Sequence, residues 1–270
     1  MTGGMKYARW SQGAWRGWRA ADVAFDVGGC LAAADGGSGR RSRHARSLAI
    51  ETPHGVCHVK SYPSPDGRRA LRAFGMGRAL AAAGFAAPVT LLVGRRGRAG
   101  LLVTADAGGE DLLVALARLA SPGDDMRARK RDLLRRLGTE VARLHAAGFV
   151  HGDLVPPNLR WRDGAFVFLD NDRTRRGWPG ARRNLVQLGR FVVAGITASD
   201  RARVLRAYAS ARGLDRRRRH RLGAWVMRKI VARRCAIDRI PAETAARAGF
   251  RALMRSGGPF DPALPAAERA

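Results

Sequence analysis

The sequence predicts an α+β chain in two lobes, a small β-rich amino-terminal lobe and a larger helical carboxy-terminal lobe. Three observations carry this expectation. Short apolar runs bounded by Gly and Pro crowd the stretch from 22 to about 105, helical apolar spacing dominates the remainder, and one Asp-Gly turn, Asp163-Gly164, interrupts the helical part with a hairpin. The chain of 270 residues, 46% hydrophobic and 27% charged, has an ordinary globular composition and is long enough to bury a sizeable core.

Residues 1–21 read as an amino-terminal arm. Trp10, Trp15 and Trp18 alternate there with Arg9, Arg16 and Arg19, without the apolar stretch of a signal peptide. Such tryptophans staple an arm to a core more often than they touch a membrane interface. Residues 22–106 form the predicted small lobe. Within it Gly36-Gly37-Ser38-Gly39 reads as a mobile turn, and Leu48–Thr52 and Gly55–Lys60 pair as strands across the turn that begins at Pro53. A helix is expected over 69–83. The uncharged run 79–94 contains Gly84, Pro88 and Gly94, which divide it into helix end, turn and strand and exclude a membrane span. Leu101–Thr104 reads as the last strand before a hinge at 104–109.

Residues 107–270 form the predicted helical lobe. A helix over 131–147 ends at Gly148 in the C-cap position, and the apolar pair Phe149-Val150 follows. Ala165–Leu169 reads as a buried strand, and 184–193 as a helix buried in the lobe. Residues 216–237 hold nine Arg or Lys and no acid, with Leu222, Trp225, Val226, Ile230 and Val231 at helical spacing. This is a basic amphipathic helix, equally compatible with lying on a membrane and with packing on the lobe with its basic face in water.

Charge is the second large fact. The net formal charge is +28, and of 50 basic residues only Lys6, Lys60, Lys130 and Lys229 are lysine, a bias that calls for either genome composition or an anionic neighbourhood as its explanation. A field of this sign attracts phosphate-rich polymers and anionic lipid surfaces. Cys30, Cys57 and Cys235 show no paired metal spacing and leave an odd thiol, which argues against a zinc site or a disulfide framework and suits a reducing cytosol.

Chemistry concentrates in 151–170, HGDLVPPNLRWRDGAFVFLD. Phosphoryl transfer needs a carboxylate to take or orient the hydroxyl proton, plus an amide oxygen and a second carboxylate to hold magnesium against nucleotide phosphates. Asp153, Asn158 and Asp170 fit these three jobs: Asp153 and Asn158 have the H-x-D-x-x-x-x-N spacing of kinase catalytic loops, and Asp170 ends a strand. His151 is expected to support the loop. A lysine on a strand suits the α- and β-phosphates of ATP, and Lys60 stands where the kinase V-A-I-K lysine stands. Gly36, Gly37, Ser38 and Gly39 are the candidate phosphate-covering turn, without matching G-x-G-x-x-G.

RLHAAGFVHGDLVPPNL, followed by FLDNDRTRRG and RRNLVQLGRF, resembles the lipopolysaccharide kinase family, the Kdo and heptose kinases and their InaA-like relatives. HGDL-x-P-x-N alone also resembles aminoglycoside phosphotransferases and choline kinases; the D-x-D-R run Asp170–Arg173 favours the first group. The resemblance implies a bilobal protein-kinase-like fold. It also implies an ATP- and magnesium-dependent kinase of a sugar hydroxyl on the lipopolysaccharide inner core, cytoplasmic and peripheral on the inner membrane. The partners it implies are ATP, a glycolipid or sugar acceptor and an anionic membrane surface. No nucleic acid is expected, because no aromatic stacking motif or reading helix accompanies the charge. The alternatives are a small-molecule kinase of aminoglycoside or choline type, or a pseudokinase binding module. The last is motivated by one departure: kinases pair the strand lysine with a helix glutamate, yet no acid occurs between Asp66 and Asp106. Gly152 and Val155 replace the Arg and Lys of protein kinases, which favours small-molecule kinases.

Overall fold

A computed structural model describes residues 5–36, 39–52, 55–177, 179–255, 257–258 and 260. The chain forms two compact units, the first running to Gly109 and including Val167–Arg175, the second comprising Glu110–Phe166 and the chain from Arg176.

Unit 1 is built on a sheet whose strands are β1 (Tyr7–Gln12), β2 (Trp15–Ala20), β3 (Arg40–Arg41), β4 (Arg46–Thr52), β5 (Gly55–Tyr62), β6 (Thr90–Arg96) and β7 (Ala99–Ala105). Their order is β1-β2-β6-β7-β5-β4-β3, and every pair is antiparallel. The expected pairing of 48–52 with 55–60 is present, closed by Thr52 opposite Gly55. The arm tryptophans enter the sheet: β1 and β2 form a hairpin, Trp15 is buried, and the Trp10 indole donates to the Val93 carbonyl at 3.2 Å.

Two helices cover the sheet, one on each face. Helix α1 (Val27–Asp35) buries Cys30 and Ala34 against Cys57, Val59, Leu92, Leu101 and Val103. Helix α2 (Arg68–Ala82) buries Ala70, Ala73 and Phe74 against Tyr62, Val93 and Leu102. Only α2 was expected. The sequence of α1 is short and its Gly28-Gly29 pair reads as loop, but packing against the sheet supplies what propensity lacks. Strand alternation then assigns the faces. Cys57 and Val59 point to α1, so Lys60 shares with Tyr62 the face that meets α2, its ammonium 5.3 Å from the Tyr62 ring centroid.

Unit 2 contains β8 (Glu110–Asp111), α3 (Leu112–Arg118), α4 (Asp124–Ala146), β9 (Phe149–Val150), β10 (Leu159–Arg162) and the start of β11 (Ala165–Phe168). After β12 (Arg175–Arg176) come α5 (Ala181–Gly189), α6 (Ala198–Ala211), α7 (Arg216–Asp238) and α8 (Ala242–Leu253). Helix α4 starts seven residues before the expected position, after Pro122-Gly123, with Asp124 and Asp125 at its positive end. Its buried face, Leu133, Leu134, Leu137, Val141 and Leu144, packs on α6. Gly138 permits the approach: a Cβ there would lie 2.3 Å from the Val204 carbonyl oxygen. Helix α5 runs 181–189 instead of 184–193, and a Cβ on its terminal Gly189 would meet Ile230 at 2.5 Å. Helix α7 packs on α5 and α8 and buries Val226 and Ile230 of its apolar stripe, while Leu222, Trp225 and Val231 stay half-buried. Among the described residues no helix is long and apolar enough to cross a membrane.

Candidate active site

In unit 1 the strand end at Phe168 docks on the loop after α2, its N–H donating to the Ala86 carbonyl at 2.9 Å and its ring 6.1 Å from that of Phe85. The chain then turns sharply. Asp170 takes a left-handed backbone, φ 53°, a conformation uncommon for a residue with a side chain and frequent at functional positions. A 3-10 turn over Asn171–Arg173 follows. Asn171 fixes it by donating its amide to the Phe168 carbonyl at 2.8 Å and accepting from the Thr174 hydroxyl at 3.2 Å.

This geometry turns two carboxylates toward β5 and α2. Lys60 Nζ lies 2.5 Å from Asp170 Oδ1 and 3.8 Å from Asp172 Oδ2. Asp172, only 4% exposed, is also approached by Arg69 Nη1 of α2 at 3.7 Å. Arg69 Nε donates to Asp66 at 3.1 Å, and the second Asp66 oxygen sits 2.9 Å from His44 Nδ1. Burial and the Asp170 carboxylate push Asp172 above the usual carboxylate range, against the pull of Lys60 and Arg69. The Tyr62 hydroxyl beside them is held strongly neutral by burial and by both carboxylates. Charge signs are therefore reversed relative to the expected kinase pair: the helix supplies a cation, and the acid that it meets lies on the loop after the strand.

In unit 2 the loop 151–158 carries Asp153 and Asn158. Pro156–Asn158 is a single 3-10 turn that folds the loop back, and Asn158 Nδ2 donates to the Asp153 carbonyl at 2.9 Å, with Asp153 Oδ2 at 3.4 Å. The spacing of five residues thus becomes contact. A buried polar scaffold holds the loop from beneath. Asn184 of α5 accepts the His151 N–H at 3.1 Å, donates to the His151 carbonyl, and donates to Gln187 Oε1 at 2.9 Å. Gln187 donates to the Gly152 carbonyl at 3.1 Å, accepts from the Leu154 N–H at 3.3 Å, and reaches Asp153 Oδ1 at 3.5 Å. Behind it, His145 of α4 bridges Asn184 Oδ1 (3.1 Å) and the Tyr208 hydroxyl of α6 (3.0 Å). Because Asn184 Oδ1 only accepts, His145 donates from Nε2 and its Nδ1 accepts from Tyr208: a neutral imidazole, consistent with burial lowering its pKa. His151 is fully buried, and its Nδ1 accepts from the Asp153 N–H at 3.2 Å. It shapes the loop.

The structure thus brings Lys60 to Asp170 in one unit and Asp153 to Asn158 in the other. Gly36 caps α1, its N–H donating to the Ala32 carbonyl at 2.8 Å, and Gly39 has φ 103° at the approach to β3; Gly37 and Ser38 lie outside the described residues, as does Trp178. Sequence reasoning missed Arg69, Asp172 as a partner of Lys60, and the pair Asn184 and Gln187. A signal for the last two existed: polar amides three residues apart on the same face as apolar Leu185 and Leu188 are out of place in a buried helix unless they bind something.

A family model described as the lipopolysaccharide kinase (Kdo/WaaP) family matches residues 61–208. The chain belongs to this family. The matched stretch includes Arg69, the 151–158 loop, Asp170, Asp172 and α5, while Lys60 and His44 precede it. A solved structure described as WaaP in complex with acyl carrier protein is similar in fold, with a TM-score of 0.57 and 24% identity over 73% of this chain and 90% of that one. The predicted α+β class, with an antiparallel amino-terminal sheet and a helical carboxy-terminal part, is observed and is similar to the fold of that structure. No curated protein sequence matches the chain.

Proposed function

We propose that this member of the lipopolysaccharide kinase family transfers the γ-phosphoryl group of ATP to a sugar hydroxyl of the lipopolysaccharide inner core, Kdo or heptose, at the cytoplasmic face of the inner membrane. The observation that carries the reading is the contact of Lys60 with Asp170 and Asp172 in a member of this family. It supplies the lysine with acidic partners where the helix glutamate is missing, and so weighs against a pseudokinase.

Asp153 orients the acceptor hydroxyl and takes its proton, its two oxygens held by Gln187 and Asn158. Lys60 meets the nucleotide phosphates, with Gly36 and Gly39 the described members of the candidate covering segment. Magnesium takes oxygen ligands and is bound by one or two side chains plus substrate phosphates. The oxygen donors Asn158 and Asp170 fit that demand, and the described residues contain no cluster of three or more His, Cys, Asp or Glu side chains that would hold another metal in a protein cage. When bound, magnesium neutralises charge that develops on the transferred group.

Transfer of labelled phosphate from ATP to a delipidated inner-core oligosaccharide tests the proposal. Wild type is expected to label the acceptor, and Asp153→Asn to do so slower by about two orders of magnitude or more with nucleotide affinity retained. Unchanged turnover in that variant removes Asp153 from the mechanism. Labelling of choline or an aminoglycoside but not of the oligosaccharide replaces the substrate.

A further inference from the structure

Helices α4 and α7 are of equal length, 23 residues each, and differ in how their charge is balanced. In α4 arginines sit beside acids at helical spacing: Arg127 with Asp124, Arg129 with Asp125, Arg136 with Asp132 and Arg143 with Glu140, at 3.3, 3.1, 2.6 and 2.6 Å. A codon bias toward arginine acts on both helices alike. Yet α7 presents nine basic residues before its first acid, Asp238, which is buried against Arg234 at 2.9 Å. The unbalanced charge on α7 therefore needs its own explanation.

The amino-terminal half of α7, the end of α6 and the start of α5 enclose a cleft of about 920 Å³, within the size range of small-molecule sites. Arg182, Arg212, Arg218, Arg221 and Arg228 line it, with Trp225 among them, and no acidic residue is part of the lining. Arg218 shares its charge with Asp215 at 3.3 Å, at the cleft's margin. Guanidinium groups gathered around one concavity repel one another unless an anion joins them. Their planar forks match phosphate oxygens two at a time. Half-buried Trp225 adds a flat apolar surface of the kind that covers the C–H face of a sugar ring. Val226 and Ile230 are committed to the protein core, and Leu222 and Trp225 of the same stripe lie in the cleft beside the arginines, which favours recognition of a headgroup.

We propose that this cleft binds the phosphate-bearing sugar headgroup of an anionic glycolipid at a membrane surface. The inference rests on the reading of the chain as a kinase of lipopolysaccharide, and adds a docking site apart from the Asp153 loop. Co-sedimentation with phosphatidylcholine vesicles tests it, with the vesicles carrying lipopolysaccharide, phosphatase-treated lipopolysaccharide or phosphatidylglycerol. Arg218, Arg221 and Arg228 are exposed, so the triple substitution to Gln should fold. It is expected to weaken binding to lipopolysaccharide vesicles about ten-fold or more, as phosphatase treatment should for wild type. Trp225→Ala should weaken binding to lipopolysaccharide and leave phosphatidylglycerol binding unchanged. Wild-type binding by the triple variant, or equal preference of wild type for phosphatidylglycerol and lipopolysaccharide, overturns the proposal. Phosphate transfer to the delipidated oligosaccharide is measured in parallel. The triple variant should retain it; absence of transfer in wild type with the vesicle pattern intact sinks the kinase reading and leaves the cleft.

Discussion

Asp170 and Asp172 stand two residues apart and have different surroundings. Asp170 is half-exposed at the end of a strand, whereas Asp172 is buried with Arg69 and Lys60 on either side. Asp170→Ala is therefore expected to abolish magnesium-dependent nucleotide binding in calorimetry. Asp172→Ala should leave that binding measurable and cost about 1–3 kcal/mol in denaturant unfolding, because Arg69 is left beside an apolar gap. Combining it with Arg69→Ala should cost less than the sum of the two single changes, since neither charge is then stranded. Additive effects would show that the two side chains do not depend on each other. The pairing was beyond reach from sequence: Asp172 is 103 positions from Arg69, and no local spacing links them.

At the level of elements, the 151–158 loop owes its shape to helices that follow it in the chain. Its Pro156-Pro157 pair and the Asp153–Asn158 spacing set the turn locally, but Asn184 and Gln187 fasten it only if α5 is held in register, and α5 is braced by α7 through the Gly189–Ile230 approach. Helix α4 also approaches α6 closely, at Gly138. Gly138→Ala places a methyl carbon 2.3 Å from the Val204 carbonyl oxygen and 2.8 Å from the Ala207 Cβ, so the helices must separate. The expected cost is about 1–3 kcal/mol, read as a lowered thermal midpoint. An unchanged midpoint would mean that α6 shifts freely. Helix ends followed the same rule: α4 begins where Pro122-Gly123 and two acids permit, while the apolar periodicity used to predict it begins later.

At the scale of the whole molecule, acid should destabilise the fold through His145. Burial lowers its pKa, so the unfolded chain binds the proton more readily; the stability contributed by the neutral ring is present above the unfolded value near 6.5 and is lost as pH falls below it. Asp200, lowered through its capping bonds to Thr197 and its contact with Lys130 despite burial, adds a loss in the same direction at more acidic pH. Thermal midpoints should decline from pH 7 to pH 5, and His145→Gln should flatten that decline; an equal slope in both proteins would show that His145 does not govern it.

The sequence by itself determined what depends on neighbours along the chain. The hairpin of β4 and β5, the helix expected over 69–83 and found over 68–82, the strand expected over 165–169 and found to end at Phe168, and the Asp153–Asn158 spacing all follow from turn residues and periodicity within a few positions. Tertiary structure alone decided which distant surfaces meet. It placed β2 beside β6, packed α1 under the sheet, turned Val226 and Ile230 of α7 into the core, and set Lys60 against Asp170 across 110 positions. Such contacts are fixed by the joint burial of many side chains, and no window of local sequence contains that information.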